Sequence, residues 1–545
     1  MVLPRIKNIV NKENFFLGTL VFDGSEMGKK AVKVLNLFSK TIKAELGDKP
    51  NVIFNEVSFK RRGEYKIIVA EDKITIDFSD YQGLRNALAT ISGLYDGNKL
   101  DCTEISDYPD SDFRSCLLDL ARGYVEIDIL KEHLVRLAKL KFSYVHLHLM
   151  DRQSYILKSD VVPNPDNHRQ YTKEELRDVV EFCKLLSLEA IPEIEFPAHA
   201  VNLIKSVPEL ACDIIDMELA QKGVSDADSP RKHCYIDTER FVSSWSVCIG
   251  KESTYKIYEK IIDEVLEIFD SEYFHIGADE IEYRHLAAFP NWDNCHECKK
   301  LMDKYNGDIL SIYYHGVRRM HEIVKSRGKK TIKWNESKEC MHPIDLPEDI
   351  IIEYWFAGNQ KDETKHINCF VDKGFKVINA HCHYTYVDVQ NYMSAEKISS
   401  WKPISAEAHN GYVLGGEMCA WELGNPDYCF YEYTLPVCMA LFSDRVWNNM
   451  ETEYDNNYQT AIFSSVIGEN KLNFNPLNLF EEVIPPRKKE VLEELKLKDE
   501  NPNAILETLE KLKEIDESRC YGKLALKGFK SYLERLYKAV LEKEN

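Results

Sequence analysis

The sequence predicts a (β/α)8 TIM barrel, preceded by a small α+β domain and followed by a helical C-terminal region. Three observations point there. From Arg114 onward, eight short apolar, β-rich runs alternate with longer segments of helical period. No Gly-rich phosphate loop accompanies them, which disfavours an open doubly wound sheet. Acids, His and Trp collect at the ends of the runs, where barrels of this kind carry their chemistry.

The elements follow in order. Residues 1–107 form the α+β domain: "EYKIIVAEDKITIDF" reads as two alternating strands around Glu71-Asp72-Lys73, and "YQGLRNALATISGLY" as a helix with one apolar face. The segment "ISDYPDSDF" gathers Pro and Asp as a linker or turn does. Residues 108–450 form the barrel. Its strands are expected at Ser115–Asp119, Tyr144–Leu149, Glu189–Glu195, Tyr273–Gly277, Lys330–Trp334, Ile350–Trp355, Lys376–Ala380 and Val413–Ala420. Between them, "TKEELRDVVEFCKLLSL" opens on a capping box, Thr172 with Glu175, and keeps apolar residues at helical spacing. "TYKIYEKIIDEVLEIF" and "ILSIYYHGVRRMHEIVK" share that period. Residues 451–545 form the helical region, Lys/Glu-rich with Leu at helical spacing from about Arg487, its charge runs read as solvated faces.

Length and composition bound the function. A chain of 545 residues with 44% apolar content builds two or three domains with sizeable cores. The 70 basic against 90 acidic residues leave a net charge of −20, which argues against nucleic acid or an anionic membrane as partner. Fifteen Cys, scattered without the spacing of a disulfide framework, read as mostly free thiols. The apolar patch from Phe15 to Phe22 follows Glu13 and lacks a small-residue cleavage site. No apolar run approaches the roughly 18 residues of a membrane span. A soluble, cytoplasmic protein is expected, and its helical faces allow a homodimer.

The strand ends carry a dense set of polar and aromatic residues. The first strand has Arg114 just before it and Arg122 after it, and the second ends at Asp151. The third gives Glu193, Glu195 and His199, and the fourth the adjacent pair Asp279 and Glu280. Trp334 and Trp355 end the fifth and sixth, Tyr386 and Asp388 follow the seventh, and Trp421 and Glu422 follow the eighth. Neighbouring side chains on a strand face opposite ways, so Asp279 and Glu280 share a pocket only if the strand breaks there, and Gly277 allows a break. Carboxylates in an aromatic-lined pocket suit glycoside hydrolysis: one acid protonates a leaving oxygen while another group stabilises the cationic sugar.

On eight ordered motifs the chain resembles the family 20 glycoside hydrolases, the β-N-acetylhexosaminidases, over roughly residues 60–450. The motifs are "DFRSCLLDLARGY", "KFSYVHLHLMDRQ", "AIPEIEFPAHA", "YFHIGADEIEY", "IKWNE", "YTYVDV", "LGGEMCAWE" and "MALFSDRVW". The resemblance implies substrate-assisted catalysis, an exception to the two-carboxylate rule. Glu280 matches the general acid/base and Asp279 the acid that holds the substrate acetamide N–H. The nucleophile is then the substrate's own acetamide oxygen. Tyr386 matches the hydroxyl donor to that oxygen, and Trp334, Trp355 and Trp421 match the acetamide-pocket walls. Arg114, Asp388 and Glu422 match positions that bind sugar hydroxyls; Asp151 and His199 match positions that support the acid pair.

The resemblance therefore implies an exo-acting enzyme releasing terminal β-linked GlcNAc or GalNAc with retention, through an oxazolinium intermediate, without cofactor or metal. The chain departs from the family pattern at Ala278, usually a second Gly, at "ARGY" in place of Arg-His, and at Arg152, where a second Asp is common. Three alternatives stand beside this reading. One is a family member releasing a disaccharide, a lacto-N-biosidase-like enzyme. Another is a catalytically silent glycan-binding protein, which would predict a substituted acid pair. The third is a metal-dependent hydrolase built on "CHEC", which chelators would inhibit.

Other residues have plainer readings. Trp245, Trp292 and Trp447 are read as core, and Trp401 as packing with an outer sugar site as the alternative. His146 and His148 are read as one buried and one hydrogen-bonded His rather than metal ligands. Cys295 and Cys298 have the spacing of half a zinc site, but no second such pair occurs, so paired thiols at a helix start is the reading, with further ligands from the fold needed for a metal.

Overall fold

The structure is a computed structural model and describes residues 2–95, 97–213, 215, 235–237, 242–244, 246–281, 292–336, 339–341, 343–356, 363–387, 395–404, 411–423 and 431–449. The expected helical region at 451–545, Trp245 and Asp388 lie outside the described residues.

The N-terminal layer is a five-stranded sheet with two helices. Strand Asn8–Leu17 pairs antiparallel with Lys99–Asp107, and the expected hairpin is present as Tyr65–Val69 and Ile74–Phe78. Tyr65, Ile67, Val69, Ile74, Ile76 and Phe78 alternate inward, as a sheet with one covered face requires. The helix Tyr81–Leu94 covers that face and is capped by Asp80, whose carboxylate accepts the Gly83 N–H. The patch around Phe15–Phe22 is strand: Phe16, Leu20 and Phe22 are core.

Eight parallel strands then close a barrel. In chain order they are Phe113–Asp119, Tyr144–His148, Glu189–Phe196, Tyr273–Gly277, Lys330–Trp334, Ile351–Tyr354, Val377–Asn379 and Val413–Ala420. Each pairs with the next, and the eighth pairs with both the first and the seventh, which removes every open edge. The expected strands coincide with these to within a residue or two. The largest difference is at the first strand, which begins at Phe113 and so takes Arg114 into its N-terminal end. Phe113, Tyr144, Ile191, Tyr273, Ile332, Ile351 and Ile378 form an apolar plug at that end. The expected capping box is formed: Thr172 accepts the Glu175 N–H and Glu175 accepts the Thr172 N–H.

A buried polar knot joins the N-terminal layer to the barrel. The Lys141 ammonium lies 2.9 Å from Asp107 and 2.8 Å from the Tyr65 hydroxyl, and the Trp447 indole N–H donates to the other Asp107 oxygen at 2.9 Å. Trp447 and Trp292 are core, as read, and Trp401 packs between Phe442 and Tyr384, which decides for packing over an outer sugar site.

Candidate active site

The chain reverses sharply where the fourth strand ends. Gly277, Ala278 and Glu280 have φ of 65°, 81° and 55°, the left-handed region that strands avoid. This is the break that lets adjacent acids face one pocket. His199 Nε2 lies 3.6 Å from an Asp279 oxygen and 3.4 Å from a Glu280 oxygen. The reversal is held on both sides, by the Tyr313 hydroxyl donating to the Ala278 carbonyl at 2.7 Å and the Ile281 N–H donating to Glu336 at 3.0 Å. His199 and Glu422 also have positive φ, 56° and 58°, so four non-glycine residues with left-handed backbone follow the C-terminal ends of the barrel strands.

Gly277 cannot be replaced cheaply. A Cβ there would meet Glu195 Oε2 at 1.8 Å and the Glu195 Cα at 3.1 Å. Gly277→Ala is therefore expected to destabilise the fold by about 2–5 kcal/mol, from left-handed strain plus overpacking. Thermal unfolding would show a clearly lower midpoint; an unchanged midpoint would mean that the turn is not held as described. At Ala278 the strained backbone is tolerated by a side chain that is itself buried and packed.

Behind the acid pair runs a chain of buried ion pairs. Asp151 accepts from Arg122 at 2.6 Å and contacts His148 Nε2 at 3.1 Å and His199 Nδ1 at 3.4 Å. His148 Nδ1 bonds Glu193, which also accepts the Trp334 indole N–H at 2.7 Å. Burial acts to raise the Asp151 pKa, but Arg122 and His199 overcome it and hold that carboxyl well below the usual range. For His199, burial favours the neutral ring, yet Asp151, Asp279 and Glu195 together push its pKa well above the ordinary value. Glu195 behaves oppositely: burial and the nearby Asp279 and Glu193 push its pKa well up. His146 and His148 are both buried and both bonded to carboxylates, not one of each, because residues two apart on a strand face the same way.

The aromatic walls are oriented by their own hydrogen bonds. The Trp334 N–H is used by Glu193 and the Trp355 N–H donates to the Asn335 carbonyl at 2.8 Å. Trp355 lies nearly parallel to Tyr386 with ring centres 6.3 Å apart, and Trp421 stands 5.7 Å from Tyr386 and 6.0 Å from Trp334. Burial keeps the Tyr386 hydroxyl protonated by raising its pKa well above 10, an effect that the nearby Asp279 strengthens. Asp279 Oδ1 is buried without a hydrogen-bond partner among the described residues. A buried carboxylate oxygen without a donor is costly, and a bound N–H or O–H would satisfy it.

Arg114 is a correction. It is fully buried at the opposite end of the first strand, with Nε donating to the Lys141 carbonyl at 2.9 Å, Nη1 to the Ser111 carbonyl at 2.6 Å and Nη2 to Gln82 at 2.9 Å. Burial lowers its pKa to about 10. It is a seam residue between barrel and N-terminal layer, and it cannot reach a ligand at the C-terminal face. The arginine at that face is Arg122, which pairs with Asp119 at 3.0 Å and Asp151 at 2.6 Å and lies 4.8 Å over the Trp421 ring. Asp119 also accepts the Glu422 N–H at 2.8 Å, so Arg122, Trp421 and Glu422 converge. The strand-end rule marks Arg122, which follows its strand, whereas Arg114 precedes the run read as strand and is given a sugar-binding role only by the resemblance. Asp119 and Glu336 lie within the quoted motifs "DFRSCLLDLARGY" and "IKWNE" without a role assigned to them there, and Tyr313, which acts across 35 positions, left no local signal.

Most of the described thiols stand outside disulfides, as expected. Cys340 and Cys369 form a disulfide, while ten other described cysteines are free and buried. Cys295 and Cys298 do not stand as an isolated pair: Cys212 and Cys248 join them.

The family model described as glycosyl hydrolase family 20, catalytic domain, matches residues 112–449. The chain is 23% identical over 410 residues to a beta-hexosaminidase subunit beta of Rattus norvegicus, covering 72% of this chain and 70% of that one. It is 26% identical over 373 residues to a beta-hexosaminidase of Vibrio furnissii, covering 63% of this chain and 56% of the relative. The solved structure of a GH20 exo beta-N-acetylglucosaminidase from Vibrio harveyi, in complex with N-acetylglucosamine, superposes with a TM-score of 0.70 at 22% identity, covering 88% of this chain and 77% of that one. A likeness at that identity establishes a shared fold.

Proposed function

The chain belongs to glycosyl hydrolase family 20 and is a glycoside hydrolase, and from that premise we propose that it is an exo-β-N-acetylhexosaminidase that removes terminal β-linked GlcNAc or GalNAc with retention. The observation that carries this reading is Asp279 Oδ1, buried and lacking a donor among the described residues, beside Glu280 and a cluster that includes Trp334, Trp355, Trp421 and Tyr386. An acetamide supplies what that pocket lacks: an N–H for Asp279, a carbonyl oxygen for the Tyr386 hydroxyl, and a methyl group for the indole faces.

In the proposed reaction the acetamide oxygen attacks the anomeric carbon while Glu280 gives its proton to the departing glycosidic oxygen. Asp279 accepts the acetamide N–H and balances the oxazolinium charge. Glu280, now a carboxylate, takes a proton from the water that opens the ring, so two inversions give net retention. Arg122 and Glu422 are the hydroxyl-binding pair in this account, and Asp388 keeps the role the resemblance implies. Ten free, buried thiols among the described residues support a reducing, cytoplasmic setting against the one disulfide.

Turnover of a chromogenic β-GlcNAc glycoside, with a thiazoline mimic of the oxazolinium as inhibitor, tests the proposal. Turnover with tight thiazoline inhibition is expected, and Tyr386→Phe should lower kcat by about 10-fold to 100-fold, the value of one donor to the attacking oxygen. Turnover insensitive to thiazoline, or release of a disaccharide alone from longer glycans, would overturn it.

A further inference from the structure

Four cysteines from distant parts of the chain meet beside the barrel. Cys212 follows the short turn Pro208–Leu210, Cys248 precedes the helix Glu252–Leu266, and Cys295 and Cys298 open the helix His296–Lys304. All four are fully buried and none is bonded to another. Cys248 Sγ stands 3.7 Å from Cys295 Sγ and 3.6 Å from Cys298 Sγ, Cys212 Sγ stands 3.9 Å from Cys298 Sγ, and all four sulfurs lie within 4.8 Å of one another. Bonded sulfurs sit about 2.0 Å apart. Four thiolates about 2.3 Å from a zinc ion occupy a tetrahedron with edges of about 3.8 Å. The observed spacing is the tetrahedral one, and Cys248 neighbours two sulfurs equally, which pairwise bonding does not require.

We propose that Cys212, Cys248, Cys295 and Cys298 form a structural zinc site that ties the chain leaving the third barrel strand to the chain leaving the fourth.

The surroundings fit such a site. The Lys251 ammonium, held 2.7 Å from the Ala211 carbonyl and 3.1 Å from Asp213, interacts with Cys248 and Cys212 and offsets part of the net negative charge of a zinc tetrathiolate. The backbone around the thiols is already joined. Cys248 N–H donates to the Leu210 carbonyl at 2.7 Å, Ile215 N–H to Asn294 at 2.9 Å, and the Trp292 indole to Val247 at 3.1 Å. Gly250 packs so closely on Glu297 that a Cβ would lie 2.4 Å from its carbonyl carbon. The clamp also reaches the active-site side, because the Val247 N–H donates to the Pro197 carbonyl at 2.9 Å, two residues before His199. Binding replaces thiol protons by the ion and releases them to solvent, and zinc undergoes no redox change. Four protein ligands leave no open position, so the ion would hold structure and would not activate water.

The experiment uses the full chain, purified without chelator or metal-affinity resin. Elemental analysis should find one zinc per chain. Cobalt added to metal-stripped protein should give the sulfur-to-cobalt charge-transfer band and the tetrahedral ligand-field bands, both lost in Cys248→Ser and Cys298→Ser and kept in Cys183→Ser, a buried thiol outside the cluster. Stripping the metal should lower the thermal midpoint, and zinc should restore it. If the variants fail to fold, the cobalt spectrum of the unaltered chain still decides. Absence of stoichiometric metal together with no cobalt–thiolate band, or two disulfides among the four by mass spectrometry, would overturn the site; stoichiometric iron, which the same ligands could hold, would overturn the choice of zinc.

Discussion

Glu280→Gln is expected to lower kcat on β-GlcNAc glycosides by about 10²-fold to 10⁴-fold, the usual contribution of a general acid/base. Gln keeps the shape of the side chain but cannot give up a proton. The loss should depend on the leaving group. A 4-nitrophenolate departs without protonation, so glycosylation of that substrate should survive better than that of a methyl glycoside or a chitooligosaccharide, whose alkoxide needs the proton. KM should change little, because the acid acts mainly in the transition state. Kinetics of both substrate types, wild type against variant, check this. Equal losses of kcat/KM, which reports cleavage of the glycosidic bond and not the shared ring-opening step, would remove Glu280 from the acid role, and no loss would remove it from the reaction. Asp279 serves as the contrast: Asp279→Asn places an amide where an N–H must be accepted, so its loss should appear whatever the leaving group.

Arg122 and Arg114 separate two kinds of arginine in one chain. Arg122→Ala leaves Asp119 and Asp151 buried without their cation, and breaking a buried pair in this way costs about 3–5 kcal/mol. It also removes the guanidinium proposed to bind sugar hydroxyls, where a charge-assisted hydrogen bond is worth about 1.5–3 kcal/mol, so kcat/KM should fall by about 10²-fold beyond any folding defect. The milder Arg122→Lys keeps the charge but loses the forked geometry that spans Asp119 and Asp151, and should still lose most of kcat/KM while remaining folded. Arg114→Lys is expected to lower the thermal midpoint, because its three hydrogen-bonded nitrogens hold a buried seam, yet to leave kcat/KM of the folded protein near wild type. Steady-state kinetics beside thermal unfolding distinguish the pair. A kinetic defect confined to Arg114 would reverse the assignment.

Much of the architecture was legible because its signals are local. A buried parallel strand must be a short apolar run, and the Tyr273–Gly277 and Lys330–Trp334 strands have the bounds that their composition dictates. The acid pair, the His199 segment and the Trp residues were legible as chemistry because a barrel brings the C-terminal ends of its strands to one face, whatever its loops do. Arg114 misled because its role came from the family likeness and not from its place in the barrel: it precedes the run that marks the first strand and lies at that strand's N-terminal end.

The sequence by itself determined the eight strands, the family likeness and the presence of Asp279 and Glu280 after a glycine, since each follows from residues within a few positions of one another. Only the tertiary structure decided which arginine faces the pocket, that His199 spans Asp151 and the acid pair, that Asp279 keeps a buried oxygen without a donor among the described residues, and that Cys212 and Cys248 complete the set begun by Cys295 and Cys298. Those features join residues tens to hundreds of positions apart. Their physical cause is barrel closure, which sets distances that no local pattern of side chains encodes.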